Sequence, residues 1–144
     1  MLRAVIDTNL FVSGTAAGAD STPYRLLQSW RRGEYVLVTS PQIIKEVHTV
    51  LYRPEIQKQF SLTSQEADEV LKALTSYAFV TAGTQTVDVV THDPDDNKFI
   101  ACALEGSASH VVSGDKHLLS IGTYQGISMV TARTFLEHDL KSSS

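Results

Sequence analysis

Glu34–Tyr52, EYVLVTSPQIIKEVHTVLY, passes from one kind of element to another with no loop between them. Its first part, EYVLVTS, is a short apolar run rich in β-branched residues, the pattern of a buried strand. Ser40 and Pro41 then supply a hydroxyl N-cap and a proline at the first helical position, so a helix begins there and carries QIIKEVHTVLY. A buried strand feeding directly into a helix is half of a strand–helix–strand unit.

The same grammar recurs outward in both directions. LRAVID ends at an aspartate, and Leu2 to Ile6 is expected as a strand. Thr63 and Glu66 have capping-box spacing, and Val70, Leu71, Leu74 and Tyr77 follow at helical intervals, which predicts a helix over about 64–79. HVVSG forms a third buried strand and GISMVTA a fourth, followed by a last helix through Phe135 and Leu136. The expected fold class is therefore α/β, a mainly parallel central sheet with helices on both faces. Such sheets gather function at the carboxyl ends of their strands. Asp7 follows the first strand and Asp115 follows HVVSG, so both leave the sheet at one edge if those strands are parallel neighbours.

With 144 residues, 42% apolar and 19% charged, and only four prolines, the composition is that of one ordinary folded domain over 1–140 with a frayed tail at 141–144. Cys102 is the single cysteine, so an internal disulfide is excluded. The start MLRAVIDTN lacks the pattern of a signal peptide, which leads us to expect a cytoplasmic protein. No apolar stretch approaches the ~20 residues of a membrane span. The net charge of −4 gives no general support for nucleic-acid binding, although acids gathered at a metal site would mask basic residues elsewhere.

Four acids stand in awkward places. In THDPDDNKFIACAL, Thr91–Leu104, the residues 96, 99, 100 and 103 form a core stripe whose first member is a carboxylate. On a helical wheel Asp96 falls about 60° from Phe99, inside the apolar arc. The alternative is that Asp96 or Asp95 merely caps the helix. Glu46 lies on the shoulder of its helix, about 40° from Val50, where a lone glutamate is ordinarily just solvated. Asp7 and Asp115 could each be turn or cap residues. As a set they differ: carboxylates converging on a half-buried place repel one another unless a cation or shared protons compensate.

Oxygen ligands suit a hard divalent ion such as Mg²⁺ or Mn²⁺. Zinc finds no Cys/His cluster, because Cys102 stands alone and His48, His92, His110, His117 and His138 contain no HxxxH pair. An EF-hand counted from Asp93 fails, with Lys98 in the glycine place and Leu104 in the glutamate place. SGTAAGADST is no P-loop, and there is no GxSxG.

The segments VIDTNLFVSG, SPQIIKEVHTVL, DPDDNKFIACAL and HVVSGDKHLL, in that order, resemble the PIN-domain nucleases, and within them the toxin components of toxin–antitoxin pairs related to VapC-like ribonucleases. Each motif alone is weakly specific; four in series over nearly the whole chain are not. The resemblance implies a PIN-like three-layer sandwich with Asp7, Glu46, Asp96 and Asp115 as its acidic metal site, Glu46 bound directly or through water. Asp93 and Asp95 are then neighbours, and Asn9 and Ser113 support the carboxylates or an attacking water. It further implies a metal-dependent endoribonuclease using one or two Mg²⁺ or Mn²⁺ ions, blocked by a small antitoxin and paired as a homodimer. Arg53, Lys98 and Lys116 are candidates to hold the RNA backbone, with solvated surface charge as the alternative for each. Three competing functions remain open. One is a housekeeping RNA-processing nuclease, another a noncatalytic RNA- or protein-binding module, and the third a haloacid-dehalogenase-like phosphatase in which Asp7 attacks phosphorus, against which Asn9 stands where that family has an acid.

Overall fold

The computed structural model describes residues 1–16, 21–90 and 93–142. Part of SGTAAGADST, both Thr91 and His92, and Ser143 and Ser144 of the tail expected to fray lie outside them.

Six strands, β1 (Arg3–Ile6), β2 (Val36–Thr39), β3 (Phe79–Val80), β4 (His110–Val112), β5 (Thr123–Tyr124) and β6 (Ile127–Val130), form one sheet in the order β3-β2-β1-β4-β6-β5. All neighbours are parallel except β5 and β6. Around the sheet lie α1 (Thr8–Ala16), α2 (Thr22–Arg31), α3 (Pro41–Leu51), α4 (Pro54–Gln59), α5 (Ser64–Tyr77), α6 (Asn97–Glu105), α7 (Lys116–Leu119), α8 (Ala132–Thr134) and α9 (Leu140–Ser142). A π-helical turn, Phe135–Asp139, joins the last two. The α/β sandwich expected from the sequence is the fold of this chain.

The transition at Ser40 works as its residues dictate. The Ser40 hydroxyl accepts from the Ile43 N–H at 3.3 Å, and Pro41 opens α3. Thr63 and Glu66 close a reciprocal capping box at the start of α5. That helix stops at Tyr77, two residues short of the expected end, because Ala78 is extended and Phe79 and Val80 pair with β2.

Two features of this frame place the site. First, β1 lies between β2 and β4, so the chain winds outward from it in both directions and leaves a crevice beyond the carboxyl ends of β1 and β4. Second, α6 packs across β1, β2 and β4 and is clamped at its far end. A Cβ on Gly106 would meet Val38 Cγ1 at 2.3 Å, so only glycine permits this approach, and Arg3 donates to the Gly106 carbonyl through Nε at 3.0 Å and Nη2 at 2.6 Å. With one end fixed, the other end of α6 delivers Asp96 to the crevice.

Candidate metal centre

Asp7 leaves β1 and is buried, 4% exposed. Its Oδ1 accepts from the Leu10 N–H at 2.9 Å, which caps α1, and its Oδ2 accepts from the Ser113 hydroxyl at 2.5 Å. Ser113 is itself fully buried and accepts from the Asp115 N–H at 2.9 Å, so one hydroxyl joins the acids that follow β1 and β4. Asp115 in turn caps α7 through its Oδ1 and the His117 N–H at 2.7 Å. Both aspartates are thus caps, as the simpler reading held, and Asp115 also stands beside Asp96 and Asp93.

Asp96 is placed differently. It occupies the N-cap position of α6 but makes no side-chain capping bond, and its Oδ2 is buried with no hydrogen-bond partner among the described residues. A buried acceptor without a donor calls for a water, a shared proton or a cation. Among the described residues, Asp93, Asp96 and Asp115 each offer a carboxylate oxygen, all within 4.8 Å of one another. Burial, then the adjoining Asp115 and the charges of Asp93 and Asp7, push the Asp96 carboxyl up to about 7. Asp7 is also raised, chiefly by burial, against the hydrogen bonds that favour its charged form. Asp115 lies below the usual carboxylate value: burial raises it, but the His117 N–H and the bond it shares with Asp96 outweigh burial. This is the signature of carboxylates crowded around too little positive charge. The all-oxygen donor set and the orphaned Asp96 oxygen fit a hard divalent cation.

Glu46 is held differently. One carboxylate oxygen accepts from the hydroxyl of Thr8 and the other from Lys98, which also donates to Asp95 at 2.7 Å. Burial lowers the Lys98 pKa, but these two acids outweigh it and raise it. The structure therefore brings Asp96 and Asp115 together with Asp93; Asp7 stands outside that group, joined to Asp115 through Ser113, and Glu46 is tied to Thr8 and Lys98 instead. Of the other sequence candidates, Ser113 bridges two acids, whereas Asn9 is exposed on the first turn of α1 with no hydrogen bond to any of them among the described residues. Lys98 is committed to two carboxylates, Lys116 is exposed next to Asp115, and Arg53 is exposed beyond the end of α3. Arg53 stands seven residues past Glu46, outside α3 and at the N-cap of α4.

The pattern defining the PIN domain family matches residues 3–117. The chain belongs to the PIN domain family. A relative with 33% identity over 122 residues, covering 83% of this chain and 75% of its own length, is the uncharacterized protein MJ1680 of Methanocaldococcus jannaschii. PIN domains are generally metal-dependent nucleases, and the carboxylate cluster at the crevice is where this PIN domain would carry such an ion. The PIN family match over residues 3–117 weighs against the phosphatase alternative.

Thr8 escaped the sequence reading, and Asp93 was read there only as a neighbour of the site. Thr8 carries no signal beyond its place next to Asp7. The closer role of Asp93 had a signal: Asp-Pro starts a turn, and the 3-10 turn Pro94–Asp96, with Asp96 N–H bonded to the Asp93 carbonyl at 3.0 Å, folds Asp93 back beside Asp96. Replacing Thr8 with valine keeps the shape and removes the hydroxyl, so Glu46 loses one of its two anchors. We expect Thr8→Val to fold normally and to cut nuclease turnover about tenfold, near 1.4 kcal/mol of barrier, measured as initial cleavage rate.

Proposed function

We propose that this protein is a metal-dependent endoribonuclease and the toxin of a toxin–antitoxin pair. The observation that carries the nuclease reading is the unpartnered, buried oxygen of Asp96 set beside Asp115, Asp93 and Asp7 at the crevice of a PIN fold. RNA as substrate, and the toxin role, rest on the four motifs of the sequence.

In this reading Asp7, Asp96 and Asp115, with Asp93 beside them, hold one or two Mg²⁺ or Mn²⁺ ions, and Glu46 completes the shell directly or through water. A bound ion of this kind activates water as a nucleophile and stabilises the leaving oxygen of a phosphodiester. The protein's own groups prepare the place. Ser113 fixes the spacing of Asp7 and Asp115, Thr8 and Lys98 hold Glu46 at the rim, and burial keeps competing water from Asp7. Lys116 and Arg53, both exposed, contribute positive charge toward an RNA backbone. The protein acts in the cytoplasm as a homodimer, restrained by a small antitoxin that covers the acids. No helix among the described residues is long and apolar enough to cross a membrane.

The test has two arms. Purified protein with Mn²⁺ or Mg²⁺ is expected to cut single-stranded RNA internally, with EDTA abolishing the activity; cleavage that survives EDTA overturns the metal site. Induced expression is expected to arrest growth, and co-expression of a small neighbouring gene to relieve it. Cleavage without arrest would remove the toxin role and leave the nuclease.

A further inference from the structure

Beside Lys98 the fold keeps a cavity of about 220 Å³ open between the start of α3, the start and middle of α6 and the irregular segment 83–87. Its construction is deliberate in the sense that the segment is tied down on either side of it. Glu105 accepts from the N–H of Gly83 at 2.7 Å and from the N–H and hydroxyl of Thr84 at 3.1 and 2.7 Å, while Gln42 donates to the Gly83 carbonyl at 2.7 Å. Asn97 then grips the next stretch, accepting from the N–H groups of Val89 and Val90, both at 2.8 Å. Between these two clamps the side chains of Gln85 and Thr86 are exposed and make no hydrogen bond among the described residues.

The lining has a definite chemistry. Val87, Ala101 and Cys102 are apolar, and burial pushes the Cys102 thiol up to about 12, so it is a neutral wall and no nucleophile. Gln85 and Thr86 add a free amide and a free hydroxyl. Gln42 and Lys98 line both this cavity and the adjoining groove that contains Glu46 and Asp95, so the two hollows share a sill. The volume falls below the ~300–1,000 Å³ typical of drug-sized ligands and suits one ring system. A flat object with apolar faces and a polar edge, attached to an anion that must cross a lysine to reach a cluster of aspartates, is an unstacked nucleobase. Single-stranded RNA is recognised by splaying out such bases and bonding their edges.

We propose that this cavity receives one base of the RNA substrate, its faces against Val87 and Ala101 and its edge read by Gln85 and Thr86, and that it sets the base preference of cleavage. The inference rests on the ribonuclease reading, and its experiment separates the two. The four nucleoside 5′-monophosphates, with ribose 5-phosphate as control, are titrated into the full-length protein in EDTA and followed by ¹⁵N NMR. At least one nucleotide is expected to shift the signals of Gln85, Thr86 and Ala101, and ribose 5-phosphate is expected to leave them in place. Ala101→Leu, which fills the floor, should weaken that binding at least tenfold, as should Gln85→Ala combined with Thr86→Ala, a change confined to exposed side chains. In parallel, cleavage sites in a random RNA pool are sequenced. Wild type is expected to prefer one base at a fixed position from the cut, and both variants to lose about tenfold of that preference while still cutting. Silent titrations, equal shifts from ribose 5-phosphate, or a preference unchanged in both variants overturns the inference. If wild type cuts no RNA, the ribonuclease reading falls, and the titration alone then decides whether the cavity takes a base.

Discussion

Asp96→Asn is expected to yield a folded protein that cleaves RNA at least about 10³-fold more slowly than wild type, a loss near 4 kcal/mol of transition-state stabilisation. Asparagine keeps the shape and removes the charge that burial and Asp115 already make costly. The same substitution should therefore raise thermal stability in EDTA at pH 8, where wild type must keep Asp96 ionised in the fold. Loss of activity with a gain of several degrees in Tm is the mark of a group kept for function against stability. Calorimetry and initial cleavage rates on the same preparations decide it. A variant that retains wild-type rates, or melts lower than wild type in EDTA at pH 8, would show that Asp96 is a structural cap after all.

How far the sequence reached can be judged element by element. Four of the six strands were legible because their apolar runs are bounded by punctuation such as Ser40-Pro41 and the acids after Ile6 and Val112. β3 and β5 were not: each has two residues, and Phe79 and Val80 remain partly exposed, so there is no buried run to detect. α1 and α2 were missed as well. α1 begins on the residue after Asp7, and the cap that starts it is the very carboxylate singled out for its charge. In the site, helical spacing expected Asp96 at the head of a core stripe; Phe99, Ile100 and Ala103 are buried, but so are Ala101 and Cys102, and Asp96 itself lies half-buried in the 3-10 turn before α6. What spacing could not supply is partnership over distance. Lys98 meets Glu46 across 52 positions and Ser113 meets Asp7 across 106, and no local pattern encodes either contact. Glu46 was therefore grouped with the aspartates on the strength of a motif, whereas in space a lysine and a threonine hydroxyl take its two oxygens.

The crowding of the acids should make stability depend on pH in opposite senses with and without a divalent cation. Consider first the protein in EDTA. The Asp96 carboxyl titrates near 7 in the fold against 3.8 for the ordinary group. Between those values the folded protein holds a proton that the unfolded chain has released, so stability falls as pH rises from about 4 to 7 and then levels off. Asp7, also raised, acts in the same direction. Asp95 and Asp115 are lowered, so their contribution is lost only as pH falls below the usual carboxylate range, outside this window. His110 opposes: burial lowers its pKa from 6.5, so its neutral form favours the fold increasingly as pH rises towards 6.5. In Asp96→Asn most of the downward slope should vanish and the rising contribution of His110 become visible. Now add Mn²⁺. Only the ionised carboxylates bind it, so protons compete with metal and the stabilisation grows as pH rises through 7. At a free concentration a hundred times the dissociation constant it amounts to about 2.7 kcal/mol. Urea melts of wild type and Asp96→Asn at pH 5, 6, 7 and 8, each in EDTA and in Mn²⁺, separate these contributions. A metal shift that ignores pH, or one that Asp96→Asn retains in full, would mean that the ion binds somewhere other than among these carboxylates.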